Sequence, residues 1–241
     1  MIRKEPIGDN IEIFVSEKHG FGTDAILLAN FAAPKRKDTA CDLGTGCGII
    51  PLLWCRKASV ASVVGVDIQP EACALAEQSC IENNLGEKFS VVCSDLQDLK
   101  GKVSFGSFQL VTCNPPYNAD GAGIRSRGVA DKIARHEISC TLDDIGAVAA
   151  RLLQTSGRLC MCNRPERLTA MMASMRAHGL EPKRLRLVCQ RVGEEPWLVL
   201  IEGRRCGKPG LRIMPTLYIE DGENFSQEMI DIYGSYKENY L

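Results

Sequence analysis

Asn114-Pro115-Pro116-Tyr117, closing the apolar run Phe108 to Thr112, is the part of the chain whose residue types most directly suggest chemistry. An amide or aromatic-amine nitrogen is a poor nucleophile, because its lone pair is delocalised into a π system. The Asn114 side-chain oxygen and the Pro115 carbonyl can each accept one N–H bond from such a nitrogen, help it pyramidalise and hold it in line with an electrophile. No strong general base is needed. Two prolines restrict the backbone and withhold competing donors, and Tyr117 offers a ring for stacking on a planar substrate. Asn before Pro-Pro is also an ordinary turn signal, so the motif gains meaning only from what surrounds it.

The surroundings supply a place for the electrophile. Thr39 to Leu43 reads as a buried strand and Ile49 to Trp54 as a helix, joined by Gly44-Thr45-Gly46-Cys47-Gly48. Glycines allow a backbone to pass close to a ligand. A dinucleotide site asks for Gly-x-Gly-x-x-Gly, whereas this turn, preceded by Asp42, is Gly-x-Gly-x-Gly. Asp67 ends the next strand, Ser62 to Asp67, about 20 residues on, where an acid can accept from both hydroxyls of a ribose. It can equally cap the helix that Pro70 opens. Asp95 follows the third strand, Phe89 to Cys93, where it can meet an amine of a bound base or simply make a turn.

The remaining pattern predicts how these pieces are held. Ile11 to Val15 alternates like a strand, and Thr23 or Asp24 can cap a helix running toward Pro34. After Phe108 to Thr112 comes a loop to about Cys140 and a helix from Leu142. Strands fit at Arg158 to Cys162, Leu185 to Gln190 and Trp197 to Glu202, with a Met-rich helix, Pro165 to His178, before the last two. Alternating elements predict an α/β fold: a seven-stranded, mostly parallel sheet with helices on both faces and an antiparallel hairpin at its edge. We read one domain over 1–241, with a lead-in (1–38), a core (39–202) and an extension (203–241).

Composition narrows the classes. With 241 residues, 45% hydrophobic and 24% charged, the chain can build a substantial core. No apolar run is long enough for a bilayer, and Met1 to Pro6 lacks a secretory stretch, so no membrane association and a cytoplasmic location are expected. The twelve cysteines contain no Cys-x-x-Cys pair. No metal site is expected, and thiols such as Cys93 and Cys189 read as small core hydrophobes. The formal charge is −1, but residues 151–213 carry thirteen Lys and Arg against five Glu. Two basic segments could meet a polyanion: Arg125, Arg127, Lys132, Arg135 and His136 after the Asn-Pro-Pro-Tyr motif, and Lys183, Arg184, Arg186, Arg204, Arg205, Lys208 and Arg212 further on. Either could be a solvated surface. His19 and His178 read as surface or capping residues.

The glycine turn resembles motif I of the class I methyltransferases, and with Asp67 and Asn114 to Tyr117 it matches amino methyltransferases generally. Gly22-Thr23-Asp24-Ala25-Ile26-Leu27-Leu28-Ala29 and Gly207-Lys208-Pro209-Gly210-Leu211 look like the bacterial tRNA(Val) (adenine(37)-N6)-methyltransferase family. The resemblance implies a Rossmann-like fold and S-adenosylmethionine as cofactor. It also implies a cofactor site of Thr23, Asp24, Asp42, Gly44, Thr45, Gly46, Gly48, Asp67, Ile68, Asp95, Leu96 and Asn114, and catalysis by Asn114, Pro115 and Tyr117. The implied partner is tRNA, whose adenine must leave the anticodon-loop stack. A glutamine amide presents Asn114 with a similar planar N–H group, so a protein glutamine methyltransferase stays open, as does a non-catalytic binding module of the same fold. The roughly 40 residues after Glu202 are few for the target-recognition region of a DNA enzyme.

Overall fold

The computed structural model describes residues 1–56, 60–116 and 140–237. Two short strands, β1 (Ile2–Pro6) and β2 (Glu12–Ser16), pair as an antiparallel hairpin and lead into helix α1 (Thr23–Ala32). The expected strand at Ile11 to Val15 corresponds to β2; β1 had no signal in the sequence, because Arg3, Lys4 and Glu5 hide its alternation on an exposed edge.

β3 (Thr39–Leu43), α2 (Ile49–Arg56), β4 (Ser62–Asp67), α3 (Pro70–Glu82), β5 (Phe89–Cys93) and β6 (Phe108–Cys113) follow the expected order. Next come α4 (Leu142–Leu152), β7 (Leu153–Asn163), α5 (Leu168–Ala177), β8 (Leu180–Cys189) and β9 (Pro196–Arg205). Thr141 starts α4 with a full capping box to Asp144. The last three long strands extend beyond the expected bounds by several residues, where polar residues such as Gln154 and Lys183 interrupt the apolar runs.

The seven long strands lie in the order β8-β9-β7-β6-β3-β4-β5, with β9 antiparallel to both β7 and β8. Among the described residues the sheet has nine strands rather than seven, since β10 (Arg212–Ile213) and β11 (Leu217–Tyr218) pair parallel to β8. The hairpin therefore does not form the outermost edge; two dipeptide strands too short to show a period cover it. A further hairpin, β12 (Glu220–Asp221) with β13 (Asn224–Phe225), leads to α6 (Gln227–Tyr233).

Helices cover both faces. Ile26, Leu53, Trp54, Leu75, Met229 and Ile232 bury one side of the sheet beneath α1, α2, α3 and α6. Ile145, Val148, Met171 and Met175 bury the other beneath α4 and α5. The extension from 203 onward is knitted into this core, through a bidentate ion pair of Arg186 with Glu228 and through Tyr233, which is 3% exposed and whose hydroxyl lies 3.3 Å from Thr23 Oγ1. Nine cysteines are buried, as expected of small hydrophobes, but Cys93 and Cys206 are exposed. Cys93 ends its strand on the solvent side, so its reading as a core thiol is corrected. Among the described residues, no helix is long and apolar enough to cross a membrane.

Candidate active site

The strand order reverses between β3 and β6, which are paired in parallel with Leu43 beside Cys113. Ligands of open α/β sheets bind at the carboxyl ends of the strands at such a switch. The glycine turn and Asn114 are the residues that follow Leu43 and Cys113, so the topology places them together.

The turn is built for close approach. Gly44, Gly46 and Gly48 all have positive φ, at 70°, 56° and 86°. A Cβ on Gly44 or Gly46 would point into open space, whereas one on Gly48 would press on Ala76 and Phe89. The first two glycines thus leave room beside the turn, and the third serves helix packing. Thr45 is buried, and among the described residues its hydroxyl completes no hydrogen bond of regular geometry.

Asp67 is 5% exposed. Its Oδ2 accepts from the Gly46 amide at 2.8 Å and its Oδ1 from the Gln69 amide at 2.9 Å, so it ties the glycine turn to the short connection that leads into α3. The helix-cap reading of Asp67 is corrected: the N-cap of α3 is Gln69, and among the described residues Asp67 bonds no amide within the helix's first turn. An ionised carboxylate has about four acceptor sites. Two are used by these amides and two remain for hydroxyls. Replacing Asp67 with alanine should lower fold stability as well as cofactor affinity, because each buried amide that loses a charged acceptor costs about 1–3 kcal/mol. Denaturant unfolding alongside calorimetry checks this; an unshifted unfolding midpoint would show the turn to be self-supporting.

Asp42, beneath the turn, is 1% exposed and accepts a 2.6 Å bond from Thr112 Oγ1. Burial pushes its carboxyl up to about 7; the Thr112 and Thr45 hydroxyls oppose that rise and the nearby Asp67 charge adds to it. Asp95 is exposed and accepts from the Gln97 amide at 2.8 Å, which makes it a turn cap at the end of β5. Ile68 is 41% exposed and Leu96 half-buried, so both offer apolar surface at the same end of the sheet.

Asn114 is half-buried and Pro115 buried. The Asn114 Nδ2 donates to Asp24 Oδ2 at 3.1 Å, and its Oδ1 receives the Cys162 thiol at 3.0 Å. Asp24 therefore sits against Asn114, while Thr23 turns toward Tyr233. Cys162 was missed in the sequence, where it looks like one more apolar position of a strand.

Not every expected residue gathers here. Tyr117, Arg125, Arg127, Lys132, Arg135 and His136 lie outside the described residues. In the second basic segment, Arg184 binds Glu202 and the Phe31 carbonyl, Arg186 binds Glu228, and Arg205 binds the Leu153 carbonyl. These three hold the fold together. Lys208 is exposed but lies past the end of β9 that pairs with Leu180, at the opposite end of the sheet from Asn114.

A family model for the methyltransferase small domain matches residues 7–175, the greater part of the chain. The chain belongs to that family. Curated relatives of this methyltransferase include tRNA1(Val) (adenine(37)-N6)-methyltransferases of Bacteroides fragilis, 25% identical over 75% of each chain, and of Porphyromonas gingivalis, 28% identical over 76% of this chain and 73% of that one. Among solved structures, one described as a predicted O-methyltransferase from Agrobacterium tumefaciens superposes with a TM-score of 0.68 at 17% identity, covering 88% of this methyltransferase and 96% of that chain. TrmN from Thermus thermophilus gives 0.53 at 17% identity, over 75% and 48%.

Proposed function

We propose that this methyltransferase transfers a methyl group from S-adenosylmethionine to the exocyclic N6 amine of an adenine in tRNA, adenine 37 of tRNA(Val) as in the names of its curated relatives. The observation that carries the reading is the Asn114 carboxamide, held at the switch point next to an open glycine turn. S-adenosylmethionine supplies an electrophilic methyl group on a sulfonium. The residues present fit it: the space beside Gly44 and Gly46, the two remaining acceptor sites of Asp67, and the exposed apolar side of Ile68. Thr45, Asp95 and Leu96 complete the proposed cofactor wall, with Asp42 beneath.

Toward the substrate, the Asn114 oxygen accepts one amine N–H and the Pro115 carbonyl the other, so the nitrogen lone pair turns out of the ring plane. Tyr117 stacks on the base and Arg125, Arg127, Lys132 and Arg135 meet the surrounding phosphates. Lys208, at the far end of the sheet, can reach only a more distant part of the RNA. We place this activity in the cytoplasm, in one domain spanning 1–241.

Nucleoside mass spectrometry of tRNA incubated with the protein and methyl-labelled cofactor tests the proposal. Labelled N6-methyladenosine is the expected product. Unlabelled tRNA together with a labelled glutamine in a release factor would move the reading to a protein substrate.

A further inference from the structure

We propose that Asp24 and Cys162 are positioning residues that hold the Asn114 carboxamide in the one orientation able to accept a hydrogen bond from the substrate nitrogen. The proposal deepens the reading above and rests on it for the identity of the substrate.

The two ends of a carboxamide are alike in shape and opposite in polarity. If Asn114 turned over, it would present N–H donors to an amine that must donate, and the site would repel its substrate. The fold marks each end with a group of matching polarity. An ionised carboxylate can only accept, and Asp24 Oδ2 lies 3.1 Å from Nδ2. The thiol of Cys162, fully buried, donates to Oδ1 at 3.0 Å.

The types of the two partners also suit the task. A carbonyl oxygen has two acceptor positions, so a single thiol does not saturate it. A thiol is a weak donor and withdraws little from that oxygen. Asp24 places negative charge against the nitrogen end, and in a half-buried site this polarises the amide toward a more negative oxygen. That favours the positive charge that builds on the amine as it is methylated.

Neither partner is placed by chance. Asp24 lies 90 positions before Asn114 and Cys162 48 positions after it, so the fold must bring three elements to one point. Asp24 Oδ1 is tied to the Ala25 amide at 2.9 Å. Gly22 leaves room for it, since a Cβ there would lie 2.6 Å from Oδ1. The contact of Thr23 with Tyr233 braces the same first turn of α1 from the C-terminal segment.

The test uses Asp24→Asn, Cys162→Ala and Cys162→Ser, with turnover at saturating cofactor and RNA, cofactor affinity by calorimetry, and thermal unfolding. Asp24→Asn keeps the shape but can offer either polarity, so kcat should fall by about tenfold or more while cofactor affinity changes less than about threefold. Cys162→Ala should lower kcat and Cys162→Ser, which restores a donor, should recover it. A second readout needs no substrate: the Asn114 side-chain NH2 resonances, identified by their loss in Asn114→Ala, should exchange slowly with solvent in the native protein and faster in Asp24→Asn. Lost cofactor affinity with kcat retained at saturation would make Asp24 a cofactor ligand and overturn the proposal. So would unchanged kcat in Asp24→Asn and Cys162→Ala, or unchanged amide exchange. If the native protein leaves tRNA unlabelled, the substrate reading fails, while the exchange experiment still decides the orientation.

Discussion

Replacing Asn114 with alanine should lower turnover by on the order of 100-fold or more, with RNA affinity nearly unchanged. The asymmetry follows from when the contact matters. In the bound ground state the adenine amine is neutral, and its hydrogen bond to a carboxamide merely replaces one to water. As the N–C bond forms, the nitrogen becomes cationic and its protons acidic, so an oxygen already aimed at them gains most in the transition state. An interaction of that kind lowers kcat when lost and leaves binding alone. The orientation imposed by Asp24 and Cys162 means that little reorganisation remains to be done at the moment of transfer. Single-turnover rates with excess enzyme, set beside RNA affinities, measure both halves. A fall in affinity as large as the fall in rate would instead assign Asn114 to substrate capture.

The sequence made the sheet legible because its strands are buried on both faces and read as apolar runs, and because glycines and prolines punctuate them. The glycine turn and Asp67 could be placed for the same reason: the turn directly follows one clear strand and Asp67 ends the next. What the sequence concealed has two physical origins. Strands β10 and β11 are dipeptides, and a period of two cannot be seen in two residues; they exist because β8 offers them an unpaired edge. Cys162 is indistinguishable by type from Cys160, which shares its face of β7. Only the pairing of β7 with β6, Met161 beside Cys113, brings Cys162 up to Asn114. Charge was misleading for a related reason. Arg184, Arg186 and Arg205 looked like a polyanion surface, but their guanidinium groups satisfy backbone carbonyls and buried or half-exposed carboxylates. Asp24 could be read as a helix-start residue close to the cofactor, but its contact with the Asn114 carboxamide depends on the packing of α1 against β6 and β7.

Asp42 should give the ligand-free protein a stability that declines as the pH rises. Its carboxyl is pushed up to about 7, chiefly by burial between β3 and β6, with the Asp67 charge adding to the rise and the Thr112 and Thr45 hydroxyls opposing it. An Asp in the unfolded chain titrates near ~3.9. Between these values the folded state holds a proton that the unfolded state has released, and stability falls with pH wherever the native state binds more protons. This contribution is complete below the unfolded value and disappears as pH passes upward through the folded one. Some three pKa units correspond to a loss on the order of 4 kcal/mol across that window. Asp42→Asn has the polar shape of the protonated acid without its titration. Its unfolding free energy should therefore be flatter with pH, and at about pH 8 it should exceed that of the native protein by a few kcal/mol. A bound cation at this turn favours the carboxylate, so a cofactor carrying a methionyl ammonium should release a proton on binding near neutral pH. Urea unfolding from about pH 4 to pH 8, with calorimetry in buffers of different ionisation enthalpy, reads both effects. Equal pH slopes for the native and Asp42→Asn proteins would show that Asp42 is ionised throughout, held by Thr112 despite its burial.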